Sequence, residues 1–175
     1  IQAIELPLKS DERARFIFAG GGPFKYDFSA LAEKAPDRVA FIESVAASEL
    51  QGWYALSDIG LCGYAGGSAV SMPIKVFDHF ATELAMVGSV GGEARQLITS
   101  GCGPLYQAGN PERLAAVIGQ FSRSRASLEA AKALSKSLSK DSDSHIQYDL
   151  FVEFAENVES CLLYTSPSPR DYCAH

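Results

Sequence analysis

Short apolar runs alternate along the chain with longer stretches in which apolar residues recur every three or four positions. The short runs predict buried strands at 15–19, 39–42, 59–62, 85–90 and 104–106. The longer stretches predict helices at 27–34, 48–56, 73–80 and 93–98. Because strands that alternate with helices are typical of right-handed crossovers, we predict an α/β fold. The predicted architecture is a Rossmann-like parallel sheet with helices on both faces.

The ends of this pattern predict further helices. Asn110-Pro111-Glu112 combines a capping Asn, a proline at the first helical position and an acid in the first turn, so a helix is predicted to begin there. Helices are also predicted at 122–139, which is rich in alanine, and at 146–158, which is amphipathic. The opening residues 1–8 predict the end of a helix, stopped by Pro7 and the polar Lys9-Ser10-Asp11-Glu12.

Length and charge narrow the class of protein. A chain of 175 residues has room for one well-buried domain. The net charge of −6, with no basic stripe to compensate for it, argues against nucleic acid as a partner. The sequence shows neither a signal peptide nor an apolar run long enough to span a membrane, and we expect a cytoplasmic protein.

The cysteines and His79 are predicted to be structural. The four cysteines, at 62, 102, 161 and 173, show neither close pairing nor a histidine at ligand spacing, so no zinc site or disulfide framework is predicted. Cys62 and Cys102 are expected to be small, buried, reduced residues. His79 is expected to pack in the interior, because no Ser, Cys or metal-ligand partner is placed near it in the sequence.

One predicted crevice has the residues to bind a ligand. The helix at 73–80 carries Lys75 and Asp78, and the strand that follows it ends in the turn Gly91-Gly92-Glu93. In open α/β sheets, nucleotides bind where strand ends and helix starts meet. Gly20-Gly21-Gly22 follows the first predicted strand and can bring backbone N–H groups near a phosphate or sugar, although a triple glycine is also a plain tight turn.

These segments, taken in order, resemble a known family. The series runs through 16–23, 39–41, 50–61, Pro73-Ile74-Lys75-Val76-Phe77-Asp78, Gly92-Glu93 and 109–115. It resembles the C-terminal, donor-binding domain of family 4 (group 1) glycosyltransferases of the GT-B fold, over residues 1–160. The segment around Asp78 is similar to the motif Pro-Asn-Lys-hydrophobic-Phe-acid-Tyr, with Ile74 in place of Asn and His79 in place of Tyr.

The resemblance implies a set of donor-binding residues. Asp78 would bind the ribose hydroxyls of the nucleotide, and Lys75 would help with phosphate unless it is an exposed helix lysine. The loop Glu43-Ser44-Val45 would contact the base, with Glu43 where the family has Gly. Gly20, Gly21, Gly22, Gly91, Gly92 and Glu93 would face the sugar and phosphates. Val70 stands where many members have a glutamate that contacts the donor sugar.

The activity implied is transfer of a sugar from a nucleotide-sugar donor to an acceptor, with retention of anomeric configuration and without a cofactor or an obligatory metal. The donor-binding domain would be truncated at its N-terminus, since the family's diphosphate-binding Arg and Lys and its N-terminal acceptor domain would precede residue 1. We expect this fragment alone to be inactive.

Several points stay open at this stage. A nucleotide-sugar epimerase of GT-B shape and a non-catalytic nucleotide- or sugar-binding module are the alternative functions. A role in cell-surface polysaccharide biosynthesis is implied by the resemblance, and peripheral membrane association is undecided. Residues 161–175 have no periodicity and resemble the translation of a sequencing adapter, so they are predicted to be an artefactual or disordered tail outside the domain.

Overall fold

The computed structural model describes residues 2–68 and 70–162. The chain divides into two compact units, one ending at Ser139 and the other beginning at Lys140. From residue 163 onward, the predicted tail lies outside the described residues; residues 161–162 are the last of a helix.

The first unit alternates strands with helices. The strands are β1 (Phe16–Ala19), β2 (Val39–Ile42), β3 (Ile59–Gly63) and β4 (Ala85–Ser89). The helices are α1 (Gln2–Ser10), α2 (Lys25–Lys34), α3 (Ala47–Ala55), α4 (Ile74–Ala81), α5 (Gly92–Leu97), a π-helix (Ile98–Cys102), α6 (Pro111–Arg123) and α7 (Arg125–Asp141), which ends two residues past Ser139. The second unit contains α8 (Ser144–Leu162). Asp143 directly precedes this helix, and its carboxylate accepts a hydrogen bond of 2.8 Å from the His145 N–H.

The described strands form two parallel pairs. β1 pairs with β2 in the register Phe16 to Val39, and β3 pairs with β4 in the register Ile59 to Ala85. Parallel pairing confirms the predicted α/β class. The described sheet is interrupted, however, because no strand joins β1 to β3.

The fifth predicted strand, at 104–106, is wrong. This segment makes a single parallel bridge, between Leu105 and Gly88. Pro104 has no N–H to donate, and the chain turns at once into the bond of 3.1 Å from the Asn110 N–H to the Gln107 carbonyl. The segment therefore forms one bridge and does not extend into a strand.

Side chains of β4 point alternately into two cores, one on each face. Ala85 and Val87 join the first core, which also takes buried residues from α1, α2, α6 and α7. Met86 joins the second core, together with Val76 and Phe80 of α4. Helices thus cover both faces of the strands, as the sequence predicts.

Two helix ends show how local preference and packing compete. Asn110 caps α6, its side-chain oxygen accepting a bond of 2.8 Å from the Arg113 N–H, which confirms the predicted start. The helix end was predicted at Pro7 and the polar residues 9–12; α1 ends at Ser10, among the polar residues, and continues through Pro7. Ile4 and Leu8 of α1 are both 6% exposed in the first core, and their burial offsets the backbone bond that proline cannot make.

Candidate functional site

The loops that follow the parallel strands carry the predicted site residues. Gly20 follows β1, Glu43 follows β2, Tyr64 follows β3, and Val90 and Gly91 follow β4. Ligands of open α/β sheets bind outside these carboxyl ends. The chain order therefore places the candidate site at one edge of the strands.

The glycine turn after β1 is open. The Gly20 N–H donates to the Ile42 carbonyl at 2.9 Å, which holds the start of the turn against β2. Gly20 and Gly22 have φ angles of +121° and +138°, a region in which glycine is favoured. A Cβ placed at Gly20, Gly21 or Gly22 would meet no atom within 4 Å. The glycines there serve the backbone conformation and leave space beside it.

The loop after β2 is tied to α2 by an ion pair. The Lys25 ammonium lies 2.6 Å from a carboxylate oxygen of Glu43, and its hydrogen bond lowers the pKa of that exposed carboxyl. The Glu43 side chain thus has a partner within the chain. Ser44 is exposed and Val45 half-buried in the same loop. An approach to the base at this loop would use backbone groups.

Lys75 is held at the strand edge by Tyr64. Its ammonium lies 5.0 Å from the centre of the Tyr64 ring, and the lysine is half-buried in the first turn of α4. Ser89, the last residue of β4, fixes Tyr64 in turn. Its hydroxyl accepts from the Tyr64 N–H and donates to the Tyr64 carbonyl, both at 2.9 Å. The lysine is therefore oriented by its neighbours.

Asp78 and His79 leave α4 in different directions. Asp78 is exposed, and its charge adds to burial in raising the pKa of the Tyr54 hydroxyl. His79 is 5% exposed, with Nδ1 3.5 Å from the Cys62 sulfur and its ring edge-on to Tyr54. His79 is buried, as predicted, but the reason given for it is wrong, because the fold places the Cys62 thiol against the ring. Cys62 and Cys102 are buried free thiols, as expected.

Burial sets the charge state of the His79 and Cys62 pair. Burial lowers the pKa of His79 to about 4, with a smaller contribution from the Lys75 charge. Burial also raises the pKa of the Cys62 thiol to about 11. Both groups are neutral near pH 7 and form a packing contact below the exposed face of α4.

The turn after β4 is joined to the loop before α4. The Glu93 N–H donates to the Ser71 hydroxyl at 3.4 Å, and the Ala94 N–H donates to the Ser71 carbonyl at 3.1 Å. Gly92 has a φ of +56°, and a Cβ there would overlap Ser71, lying 2.9 Å from its Cα. Both the left-handed backbone conformation and the close contact with Ser71 require glycine at position 92.

We predict that Gly92→Ala destabilises the chain by about 1–2 kcal/mol, the usual cost of a left-handed conformation for a residue with a Cβ. The matched control is Gly91→Ala, because Gly91 has a φ of −106° and open space around its Cα. Urea unfolding of both variants measures the difference. Equal midpoints for the two would contradict the close contact with Ser71.

The structure brings some of the predicted site residues into one cleft and leaves others outside it. Gly20, Gly21, Gly22 and Lys75 line one cleft of about 930 Å³, whereas Gly92 and Glu93 contact Ser71 instead. Tyr64, Ser71 and Ser89 support these residues and were not predicted from the sequence. Tyr64 lies two residues beyond the strand predicted at 59–62, so the rule that sites form at carboxyl ends could have found it.

In the described part of the chain, no helix is both long and apolar enough to cross a bilayer. Within 2–68 and 70–162, no three His, Cys, Asp or Glu side chains come together as candidate metal ligands.

The parallel strands and the helices on both of their faces define the chain as an α/β protein with a Rossmann-like parallel arrangement. A sequence profile of the family "Glycosyl transferases group 1" matches residues 1–124. This chain belongs to the group 1 glycosyltransferases. No curated protein sequence matches it.

Solved structures of GT-B glycosyltransferases share its fold. The pneumococcal O-GlcNAc transferase GtfA, in complex with UDP and GlcNAc, matches 92% of this chain at 17% identity with a TM-score of 0.70. HepE from Anabaena in complex with UDP matches 91% of this chain at 14% identity with a TM-score of 0.69. WaaG, a glycosyltransferase involved in lipopolysaccharide biosynthesis, matches 82% of this chain at 16% identity with a TM-score of 0.63. The matched parts are 32%, 44% and 39% of those chains, so this chain spans less than half of each.

Proposed function

We propose that this chain is the donor-binding part of a retaining glycosyltransferase, which moves a sugar from a nucleotide-sugar to an acceptor bound by a separate N-terminal domain. The observation that carries the proposal is that Lys75 and the glycine turn after β1 line one cleft in a member of this family. Relatives of the same fold were solved with UDP or UDP-glucose, which supports a nucleotide-sugar as the donor.

Asp78 is assigned to the ribose. Its carboxylate is exposed and has charge to strengthen two hydrogen bonds from a vicinal diol. The Asp78 charge adds to burial in raising the pKa of the Tyr54 hydroxyl, and Tyr54 lines the cleft, which supports a ribose site near this carboxylate. The nucleoside would enter with its ribose at α4.

Lys75 is assigned to the diphosphate. A glycosyl transfer of this kind leaves a nucleoside diphosphate, whose negative charge grows as the bond from the anomeric carbon to the phosphate oxygen breaks. An ammonium aimed at that position lowers the barrier most when it is already oriented, as the Tyr64 ring orients Lys75. The reaction needs no protein nucleophile or obligatory metal, and the acceptor domain supplies the second substrate.

We predict that Lys75→Gln weakens binding of UDP by about 3–10-fold, because one partly solvated charge contact to phosphate is lost. Lys136→Gln is the control, since Lys136 is exposed and paired with Glu83 at 2.7 Å. Calorimetry at low and high salt measures both variants. Equal UDP affinity for Lys75→Gln and the unmodified protein at low salt would remove Lys75 from the phosphate site.

The proposal is tested on the full-length protein, recovered by sequencing the source DNA across both ends of this reading frame. Calorimetry with UDP-, GDP- and ADP-sugars, followed by release of nucleotide with acceptor present, should show both binding and turnover. Interconversion of donor sugars without acceptor would favour an epimerase, and binding without turnover a binding module. No binding of any of the three would overturn the proposal.

The chain of 175 residues, assayed alone, is expected to transfer no sugar. Sugar transfer by it would contradict the assignment of the acceptor site to a separate domain.

A further inference from the structure

The loop between β3 and α4 is fastened at both ends to one segment, residues 89–94. At the start of the loop, the Ser89 hydroxyl bonds to the N–H and to the carbonyl of Tyr64, each at 2.9 Å. At its end, the Ser71 carbonyl accepts a bond of 3.1 Å from the Ala94 N–H. The segment that follows β4 thus holds both ends of the loop that leads into α4.

The Ser89 side chain continues the contact between two strands at the point where their pairing ends. The parallel ladder of β3 and β4 ends with Gly63 beside Ser89, one residue before Tyr64. A hydroxyl can donate and accept at the same time, so it satisfies both backbone groups of Tyr64. Alanine at position 89 would satisfy neither group, whereas threonine would keep the hydroxyl. The direction in which Tyr64 leaves β3 therefore depends on one side chain.

The start of α4 is fixed independently of Ser89. Ser71 precedes this helix and bonds to the start of α5 through both its carbonyl and its hydroxyl. Val76, in the first turn of α4, is fully buried in the second core. Loss of the Ser89 hydroxyl would therefore leave the backbone of Lys75 in place. It would release the Tyr64 ring and the ammonium that the ring holds.

We propose that Ser89 is a positioning residue, which holds the Tyr64 ring where that ring orients the Lys75 ammonium. A lysine side chain is a flexible stem, and its head group stays in one place only where a neighbour favours that place. The Tyr64 ring is this neighbour, at 5.0 Å from the ammonium. The orientation needs no ligand, whereas its effect on nucleotide binding rests on the proposed function of Lys75.

The orientation is measured without ligand, by NMR of the chain with isotope-labelled lysine. The face of an aromatic ring shifts nearby proton resonances upfield, so the Lys75 ε-methylene should carry a shift that Tyr64→Leu removes. Lys75→Gln assigns the signal by its loss. We expect Ser89→Ala to lose most of this shift and Ser89→Thr to retain it. An unchanged shift in a folded Ser89→Ala chain would overturn the proposal.

Two further variants control for folding and for the loss of a serine. If Ser89→Ala does not fold, Ser89→Cys replaces it, because a thiol is close in size to a hydroxyl but is a weak donor and acceptor. It should also lose most of the shift. The matched control is Ser10→Ala, since the Ser10 hydroxyl donates to the Leu6 carbonyl within α1, at 3.0 Å. This change should alter neither the Lys75 shift nor the affinity for UDP.

The affinity of the full-length protein for UDP separates positioning from a general loss of stability. Calorimetry should show binding weakened by about 2–5-fold in Ser89→Ala, less than in Lys75→Gln because the ammonium is still present. In protein that already carries Lys75→Gln, the change at Ser89 should cost nothing further. An equal loss with and without Lys75 would show that Ser89 acts on the fold as a whole, and it would overturn the proposal.

Failure of the donor assignment is seen separately. If Lys75 does not bind the diphosphate, neither Lys75→Gln nor Ser89→Ala changes the affinity for UDP, yet the Lys75 shift still depends on Ser89. That result would support Ser89 as the residue that orients Lys75, and it would remove Lys75 from the phosphate site.

Discussion

Replacing Asp78 with Asn is expected to weaken UDP binding by the full-length protein by roughly 100-fold. A hydrogen bond to a charged group contributes about 1.5–3 kcal/mol, and a carboxylate bound to a ribose diol makes two. The amide keeps one neutral acceptor and turns the other into a donor, so we expect a loss of about 2.7 kcal/mol, which is a factor of about 100 in Kd. Calorimetry with UDP measures it.

Deoxynucleotides separate the ribose contact from a general effect of charge. If Asp78 binds the diol, the unmodified protein should bind 2′-deoxy-UDP and 3′-deoxy-UDP more weakly than UDP, and Asp78→Asn should bind all three alike. The matched control is Asp37→Asn, since Asp37 is exposed at the opposite end of β2. A variant that retains the affinity of the unmodified protein, or its preference for the intact ribose, would remove Asp78 from the site.

The strand positions could be predicted from sequence because each strand is a short apolar run with polar residues or glycine at its ends. The runs at 39–42 and 59–62 match β2 and β3 to within one residue. Apolar density carries no information about turns in the neighbouring residues, however. At 104–106, a proline and an immediate turn reduced an apolar run to one bridge.

Strand pairing could not be predicted from the same pattern. Periodicity identifies a buried strand but carries no information about its neighbours, so a sheet with a gap between β1 and β3 has the same pattern as a continuous one. The gap is seen only in the pairing of the folded strands. The continuation of α1 through Pro7 was not predictable from the local sequence either. The burial of Ile4 and Leu8 outweighs the tendency of proline to end a helix.

The strand edge at which the candidate site residues lie was predictable, but their side-chain contacts were not. The carboxyl ends of parallel strands indicate where Gly20, Glu43 and Gly91 lie without any knowledge of packing. The partners of the charged groups depend on distant segments. Lys25 pairs with Glu43 across 18 positions, and Tyr64 of one loop orients Lys75 of the next helix. These contacts decide which charges remain for a ligand.

His79 is expected to make the chain lose stability as the pH falls below neutral. Its pKa is about 4 in the folded chain and 6.5 ordinarily, so the unfolded state binds the proton first. Stability is complete above pH 6.5 and declines as the pH falls toward 4. A shift of this size implies a loss of about 2 kcal/mol between pH 7 and pH 5, where most carboxylates are still ionised, and about 3 kcal/mol by pH 4.

The buried surroundings of His79 explain why protonation is so unfavourable. The ring rests against Gly60, where a Cβ would overlap it, and against the Cys62 sulfur at 3.5 Å. Neither neighbour carries a negative charge at neutral pH, because the pKa of Cys62 is raised to about 11. The Lys75 ammonium disfavours a second positive charge as well. An imidazolium there would be buried without a counter-ion.

Urea unfolding at pH 7, 6 and 5 tests this assignment. His79→Gln is expected to flatten the pH dependence over this range, whatever its effect on stability at pH 7, whereas His145→Gln should leave it unchanged because His145 is exposed. An NMR titration of the unmodified chain gives a direct value even if His79→Gln does not fold. A His79 imidazole that titrates near 6.5 would show that the ring is hydrated in the folded chain, and the loss of stability between pH 7 and 5 would then need another group.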